Sequence, residues 1–195
     1  MIMTSKEYKE KENRIYHAKL NIQFADGTEK ELDENSLFGL TINDDVSSAD
    51  VFSVGTAIIN MLTLKLDNSD GFFDDKEFYG AEISIKIGLE LDTGTEWLQK
   101  GTYIADAGDD VSDVITVKAY DYMRNFDRDY TKSTLGYPAT LGAIVRDACQ
   151  CCGVGLATAS FSHDDFVVQS KPEASTFREM LAMVGQISGN WCRIN

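Results

Sequence analysis

The stretch Ile83-Ser84-Ile85-Lys86-Ile87-Gly88-Leu89-Glu90 sets an apolar residue at every second position and a polar or small one between. Successive side chains of a strand point to opposite faces, so this period predicts a strand with one face in a core and the other in water. The same period returns on either side. Leu62, Leu64 and Leu66 alternate with Thr63, Lys65 and Asp67, and Ile115, Val117 and Ala119 alternate with Thr116 and Lys118. Further upstream, Tyr16, Ala18, Leu20, Ile22 and Phe24 share one face of a predicted strand. The Asp26-Gly27 pair that follows signals a tight turn, so residues 29–33 are expected to return as its partner. Short strands separated by Gly- and Asp-rich turns point to an antiparallel β-barrel or sandwich.

After Tyr122 the period changes. Pro138-Ala139-Thr140-Leu141 opens a segment in which Leu141, Ile144, Val145, Ala148 and Cys152 recur at helical spacing, and Gly153 is placed to end it. A second helix is predicted over 175–188, with Thr176 and Glu179 as a capping box, Phe177, Met180, Leu181 and Val184 as its apolar stripe, and Gly189 as its stop. The piece from Phe161 to Gln169 reads as extended. The expected organisation is therefore mainly β with an α+β part: residues 1–125 as an antiparallel barrel and 126–195 as a small α+β subdomain with two amphipathic helices. The final residues, Asn190-Trp191-Cys192-Arg193-Ile194-Asn195, read as the opening of a strand, so a continuation of the chain beyond them is expected.

The chain has 195 residues, 43% hydrophobic and 26% charged, which is ordinary globular material and enough to bury a core. No apolar run approaches the ~20 residues that cross a bilayer, so no membrane insertion is expected. The polar opening Thr4 to Asn13 lacks the apolar centre of a secretory signal, so synthesis in the cytoplasm is expected. With 18 basic against 32 acidic residues the net charge is −14, which argues against a general affinity for nucleic acid. Such acidity keeps a protein soluble, and it would also suit the lining of a conduit through which DNA slides without sticking.

Four cysteines stand at 149, 151, 152 and 192. Cys149 and Cys152 have the C-x-x-C spacing of a thiol redox pair or half a zinc site, but His17, His163 and Cys192 are remote in sequence and form no second pair at ligand spacing. The helix C-terminus on which they lie raises a thiol pKa rather than lowering it. Residues 66–77 imitate a calcium loop through Asn68, Asp70, Gly71 and Glu77, yet Leu66 occupies the first ligand position and the preceding segment is a strand. A solvated turn accounts for the same residues. Ser162-His163-Asp164 is a triad only on paper, because a triad is assembled from separated positions. Gly153-Val154-Gly155 lacks the third glycine of a dinucleotide cradle. The acid pairs Asp74-Asp75, Asp109-Asp110 and Asp164-Asp165 are adjacent in sequence, which does not supply the spacing of a glycosidase dyad. No catalytic, cofactor-binding or metal-binding residue is assigned, and no enzyme is expected.

The order of elements resembles the N-terminal region of tail-tip hub proteins of phages and prophages, the structural proteins related to the baseplate hub. The residues that carry the resemblance are Arg14 before the first hairpin, Phe52-x-x-Gly55-Thr56, Phe78-Tyr79-Gly80-Ala81-Glu82-Ile83, Lys100-Gly101-Thr102-Tyr103 and Ala119-Tyr120-Asp121. Beyond them come Tyr137-Pro138-x-Thr140-Leu141, Cys152-Gly153-Val154 and Thr176 to Leu181 followed by Gly189. The resemblance implies a tube-like barrel with an inserted α/β domain, a trimeric ring at the end of the tail tube, and as partners the tube, distal tail, and spike or fibre proteins. It implies a place in the virion tail, after synthesis in the bacterial cytoplasm. The alternative reading is a carbohydrate-binding β-sandwich for attachment to a host cell surface, which a groove lined by Trp97, Tyr103 and Tyr120 would favour. A wall hydrolase ranks last, since it would need a convergent pocket around a pKa-shifted carboxylate.

Overall fold

A computed structural model describes residues 4–43, 54–108, 113–158 and 160–194. They fall into two compact units. The first takes residues from 4–43 and 61–121, the second from 54–60 and 122–194. The predicted division at 125 is thus displaced: residues 54–60, read from sequence as part of the barrel, group with the helices, and the barrel ends at Asp121.

The first unit is an antiparallel sheet of seven strands among the described residues: β1 (Tyr16–Gln23), β2 (Glu29–Asp33), β3 (Leu37–Asn43), β4 (Met61–Asp67), β5 (Glu82–Leu91), β6 (Gly94–Gly108) and β7 (Val114–Asp121), in the order β2-β1-β5-β6-β7-β4-β3. Every neighbouring pair is antiparallel. Six such reversals make the two end strands, β2 and β3, run in the same direction. They are also consecutive in sequence, joined by a 3-10 turn at Glu34–Ser36. A flat sheet would hold its end strands about 29 Å apart, at ~4.8 Å per strand. The four residue steps from Asp33 to Leu37 reach at most about 14 Å. The sheet must therefore curl until its ends meet, and β2 and β3 act as two halves of one bent strand, the first half laddered to β1 and the second to β4.

The curl buries the inward face of the alternation. Leu20, Ile22, Leu32, Leu62, Leu64, Leu66, Ile83, Ile85, Tyr103, Ala105, Ile115, Val117 and Ala119 form one cluster. Phe24, Phe73 and Phe78, which follow β1, follow β4 and precede β5, close one end of it. Their ring centroids lie 5.4 Å apart for Phe24 and Phe78 and 5.5 Å for Phe73 and Phe78. The predicted face of β1 is buried only in its second half, since Tyr16 is 51% exposed. Ile87 is half-buried, beyond a register shift at Ile85/Lys86 in the β5–β6 ladder.

The residues read only as a polar opening form a short helix, α1 (Lys6–Glu10), and attach to the β5–β6 hairpin. The Glu7 carboxylate accepts from Asp92 N at 2.6 Å and from Thr93 Oγ1 at 3.0 Å, Glu96 Oε1 accepts from Ser5 N at 3.0 Å, and Lys11 Nζ meets Asp92.

The second unit holds α2 (Leu141–Cys152) and α3 (Phe177–Ser188), 3-10 turns at Tyr122–Asp127 and Tyr130–Lys132, and a two-stranded ribbon of β8 (Ala139–Thr140) and β9 (Val167–Val168). Both helices have the ends that the sequence predicts. Thr140 Oγ1 accepts from Ala143 N at 3.2 Å, and Thr176 Oγ1 accepts from Glu179 N at 3.1 Å. Gly153 and Gly189 take left-handed conformations just past the last helical residues. The Glu179 carboxylate reaches Ser175 N at 2.7 Å, one residue before the expected capping-box donor. The expected extended segment from Phe161 is strand only at Val167–Val168. Residues 162–165 form turns, with His163 at φ 62°.

Gly55 explains why 54–60 sits with the helices. Its φ is 82°, and a Cβ there would stand 2.3 Å from the backbone nitrogen of Gln186. A Cβ on Gly185 would lie 2.8 Å from the Gly55 Cα. Two bare backbones touch, and Cys192 N donates to Thr56 O at 3.3 Å beside them.

Two outcomes are expected. Ile85→Asp should prevent soluble folding, because an unpaired carboxylate in the barrel core costs several kcal/mol against a total stability of about 5–15 kcal/mol; an unchanged thermal melt would show the register to be wrong. Gly55→Ala should lower stability by at least about 1–3 kcal/mol, the ordinary cost of a non-glycine residue in that conformation, with the clash added. Circular dichroism during urea unfolding measures it.

Candidate functional site

An apolar cavity with a volume of about 490 Å³ lies within the second unit. Its lining comes from distant parts of the chain: Met123 and Phe126 from the first 3-10 turn, Val145 and Cys149 from α2, and Leu181 and Val184 from α3. Leu156 and Trp191, 40% and 41% exposed, also line it. Met123, Phe126, Leu181 and Val184 are buried because the apolar stripes of α2 and α3 face each other across the unit's core. Volume and apolarity fall in the range of ligand pockets.

Cys192, remote from the C-x-x-C pair in sequence, lines the same cavity as Cys149. All four thiols are free. Burial pushes Cys149 up, and it pushes Cys152 and Cys192 up to about 11. For Cys192 the neighbouring Cys149 adds to the rise, while its Sγ donates to Leu181 O at 3.3 Å. The sequence reading gave the right direction for the helix-end thiols, but desolvation is the leading cause. Such thiols stay protonated at neutral pH and are poor nucleophiles and poor metal ligands. Among the described residues no three His, Cys, Asp or Glu side chains group at metal-binding distance.

The other motifs resolve into backbone support. Asn68 is buried, donates from Nδ2 to Asp74 Oδ1 at 2.8 Å and accepts from Phe73 N at 2.9 Å, so it anchors the turn that delivers Phe73 to the barrel end. Asp67 and Asp70 accept from Ser69 N and Phe72 N. Asp164 takes part through its backbone, with its carbonyl accepting from Gly142 N at 2.8 Å. Asp109-Asp110 and Phe52 lie outside the described residues. Trp97, Tyr103 and Tyr120 do not line one groove. Tyr103 is 4% exposed in the barrel core, and the Trp97 ring carries the Lys19 ammonium 4.5 Å from its centroid.

Sequence reasoning missed the cavity because its walls come from segments remote in sequence, with Tyr122 at one extreme and Ile194 at the other. The signals present were Leu156 and Trp191, apolar residues outside either helical stripe.

Comparison with protein-family profiles and with curated protein sequences finds no match to this chain.

The buried thiols give an alkaline prediction. A folded-state pKa raised above the unfolded value of 9.0 contributes stability that is complete below about pH 9 and is lost as pH rises through the folded value of about 11. Wild-type protein should therefore lose stability above pH 9. The double replacement Cys152→Ala and Cys192→Ala should flatten that decline while lowering stability at pH 7 through lost packing. Urea unfolding at pH 7, 9 and 10 checks both.

Proposed function

We propose that the protein is a structural component of a phage or prophage tail tip, with its barrel contributing to a hub ring at the end of the tail tube. The observation that carries this reading is a curled seven-stranded antiparallel sheet followed by a helical unit, the order of elements on which the resemblance rests. The motifs sit where the barrel turns and ends. Phe78 to Ala81 form the turn into β5, with Gly80 N donating to Ala105 O at 2.9 Å and Ala105 N to Ala81 O at 2.8 Å. Lys100-Gly101 stands at the register shift between β5 and β6, next to the buried Tyr103. Ala119-Tyr120-Asp121 closes β7, and the chain re-enters the second unit at the next residue. Residues that fix geometry rather than chemistry are what a building block needs.

On this reading the full-length protein is a homotrimer. Its partners are the tube, the distal tail protein, and spike or fibre components, and its place is the virion tail after assembly in the bacterial cytoplasm. Its lumen is acidic or neutral, in line with the net charge of −14, because a basic lumen would hold passing DNA through counterion release. A ring needs complementary heterologous surfaces on each protomer.

Antibody raised against this chain should label the distal end of tails in immunogold micrographs of particles from the source strain. Light scattering of the full-length protein should give a closed ring. Particles that stay unlabelled, or a stable full-length monomer, would remove the hub reading.

A further inference from the structure

The corner at Glu34–Ser36 is the place where the barrel closes, and one titratable side chain reaches it from the neighbouring strand. His17 stands on the outer face of β1, two positions before Lys19, which pairs with Asp33 at the end of β2. Its Nδ1 lies 2.8 Å from Glu34 Oε1 in the corner, and its Nε2 lies 3.5 Å from Glu90 Oε2 on β5. Both ring nitrogens therefore face carboxylates. A neutral imidazole has one N–H and one lone pair, so it can serve one of these carboxylates only by turning its lone pair toward the other. The imidazolium donates to both.

We propose that His17 is a protonation-controlled latch on the bend by which the barrel closes, tying the corner to β1 and β5 when charged and releasing the corner when neutral.

The other charges around it do not replace this tie. Asp33, at the end of β2, is committed to Asn35 N at 3.0 Å. Lys19, next on the same face of β1, leans onto Trp97. Lys86 lies across from Lys19 on β5, and Lys11, beyond α1, meets Asp92 and lies within the field of Glu90. Only His17 contacts Glu34 and Glu90 together among the described residues.

The hydrogen bond that His17 donates to Glu34, followed by the one to Glu90, holds His17 above its ordinary value of 6.5 against the opposing effect of desolvation. A raised pKa means that the folded state binds the proton more tightly, so the contribution is complete below about pH 6.5 and is lost as pH climbs through the folded value. Glu34 is lowered from 4.5, chiefly by His17, so its share is present above about pH 4.5 and is lost as pH falls through its folded value. The latch is tightest between these limits and loosens on both sides.

The test is an NMR titration of the His17 ring, with amide exchange at residues 34–37 corrected for its intrinsic pH dependence. The ring should titrate above 6.5, and the value should fall in Glu34→Gln and again in Glu90→Gln. Exchange at the corner should quicken about two- to fivefold between pH 6 and pH 8.5 in the wild type, the size usual for a partly exposed ion pair. It should stay flat in His17→Gln. If His17→Gln fails to fold, Glu34→Gln supplies the same comparison. A wild-type corner whose exchange ignores pH, or one that changes equally in the variants, overturns the proposal.

Discussion

A seven-stranded sheet whose first and last strands are joined by three residues cannot lie open. This covalent constraint at Glu34–Ser36 governs the first unit. Curling gives the sheet an inside and an outside, and it turns every period-two strand into a wall with one core face. It also shortens the two exposed edges, since β2 and β3 each offer one unladdered side only over half of a bent strand. The leucines and isoleucines at alternate positions then fill the interior, with the buried Ala105 and Ala119 paired across β6 and β7.

Closing the sheet leaves its ends to be sealed, and there the scarce cations are used. Lys76 Nζ donates to Asp26 Oδ2 and to Thr28 Oγ1, both at 2.9 Å, and lies over the Phe24 ring. Lys30 sits 3.9 Å from the Phe72 centroid and 3.6 Å from Asp70. The first of these contacts holds the Asp26 carboxyl at about 2, well below the usual range. Exposed pairs of this kind are individually weak. Their value in a chain with 32 acids is that each places a positive charge where two acidic turns approach each other over the phenylalanine seal.

The strands, turns and helix caps were legible because each is a local pattern. The 29–33 return strand and the stops at Gly153 and Gly189 needed only neighbours within four residues. A barrel or sandwich was legible, but the strand order and the short link between the two end strands were not, since they depend on which strands end up at the edges. The docking of α1 was hidden for a similar reason: Glu7 finds Asp92 across 85 positions. The turn at 162–165 was misread as extended because its apolar and polar residues give no helical period, and nothing in Ser162-His163-Asp164-Asp165 announces a left-handed histidine. The cavity, the nearness of Cys192 to Cys149 and the two-carboxylate grip on His17 are all products of long-range packing.

The segment 54–60 shows why the barrel boundary in particular escaped. β3 and β4 are neighbours in the sheet, and a short hairpin would have joined them. Instead the chain between them contributes Ala57 and Ile59 to the helical core, with Ala57 in a parallel bridge to Cys192. Gly55 and Gly185 let the two backbones meet, and their spacing in sequence is invisible to any local period. Loop length alone costs little entropy as it grows, so a longer connection between β3 and β4 is tolerable. Its placement in the other core has a larger consequence: the connection between β3 and β4 is buried against α3, so the chain passes between the two units three times rather than once.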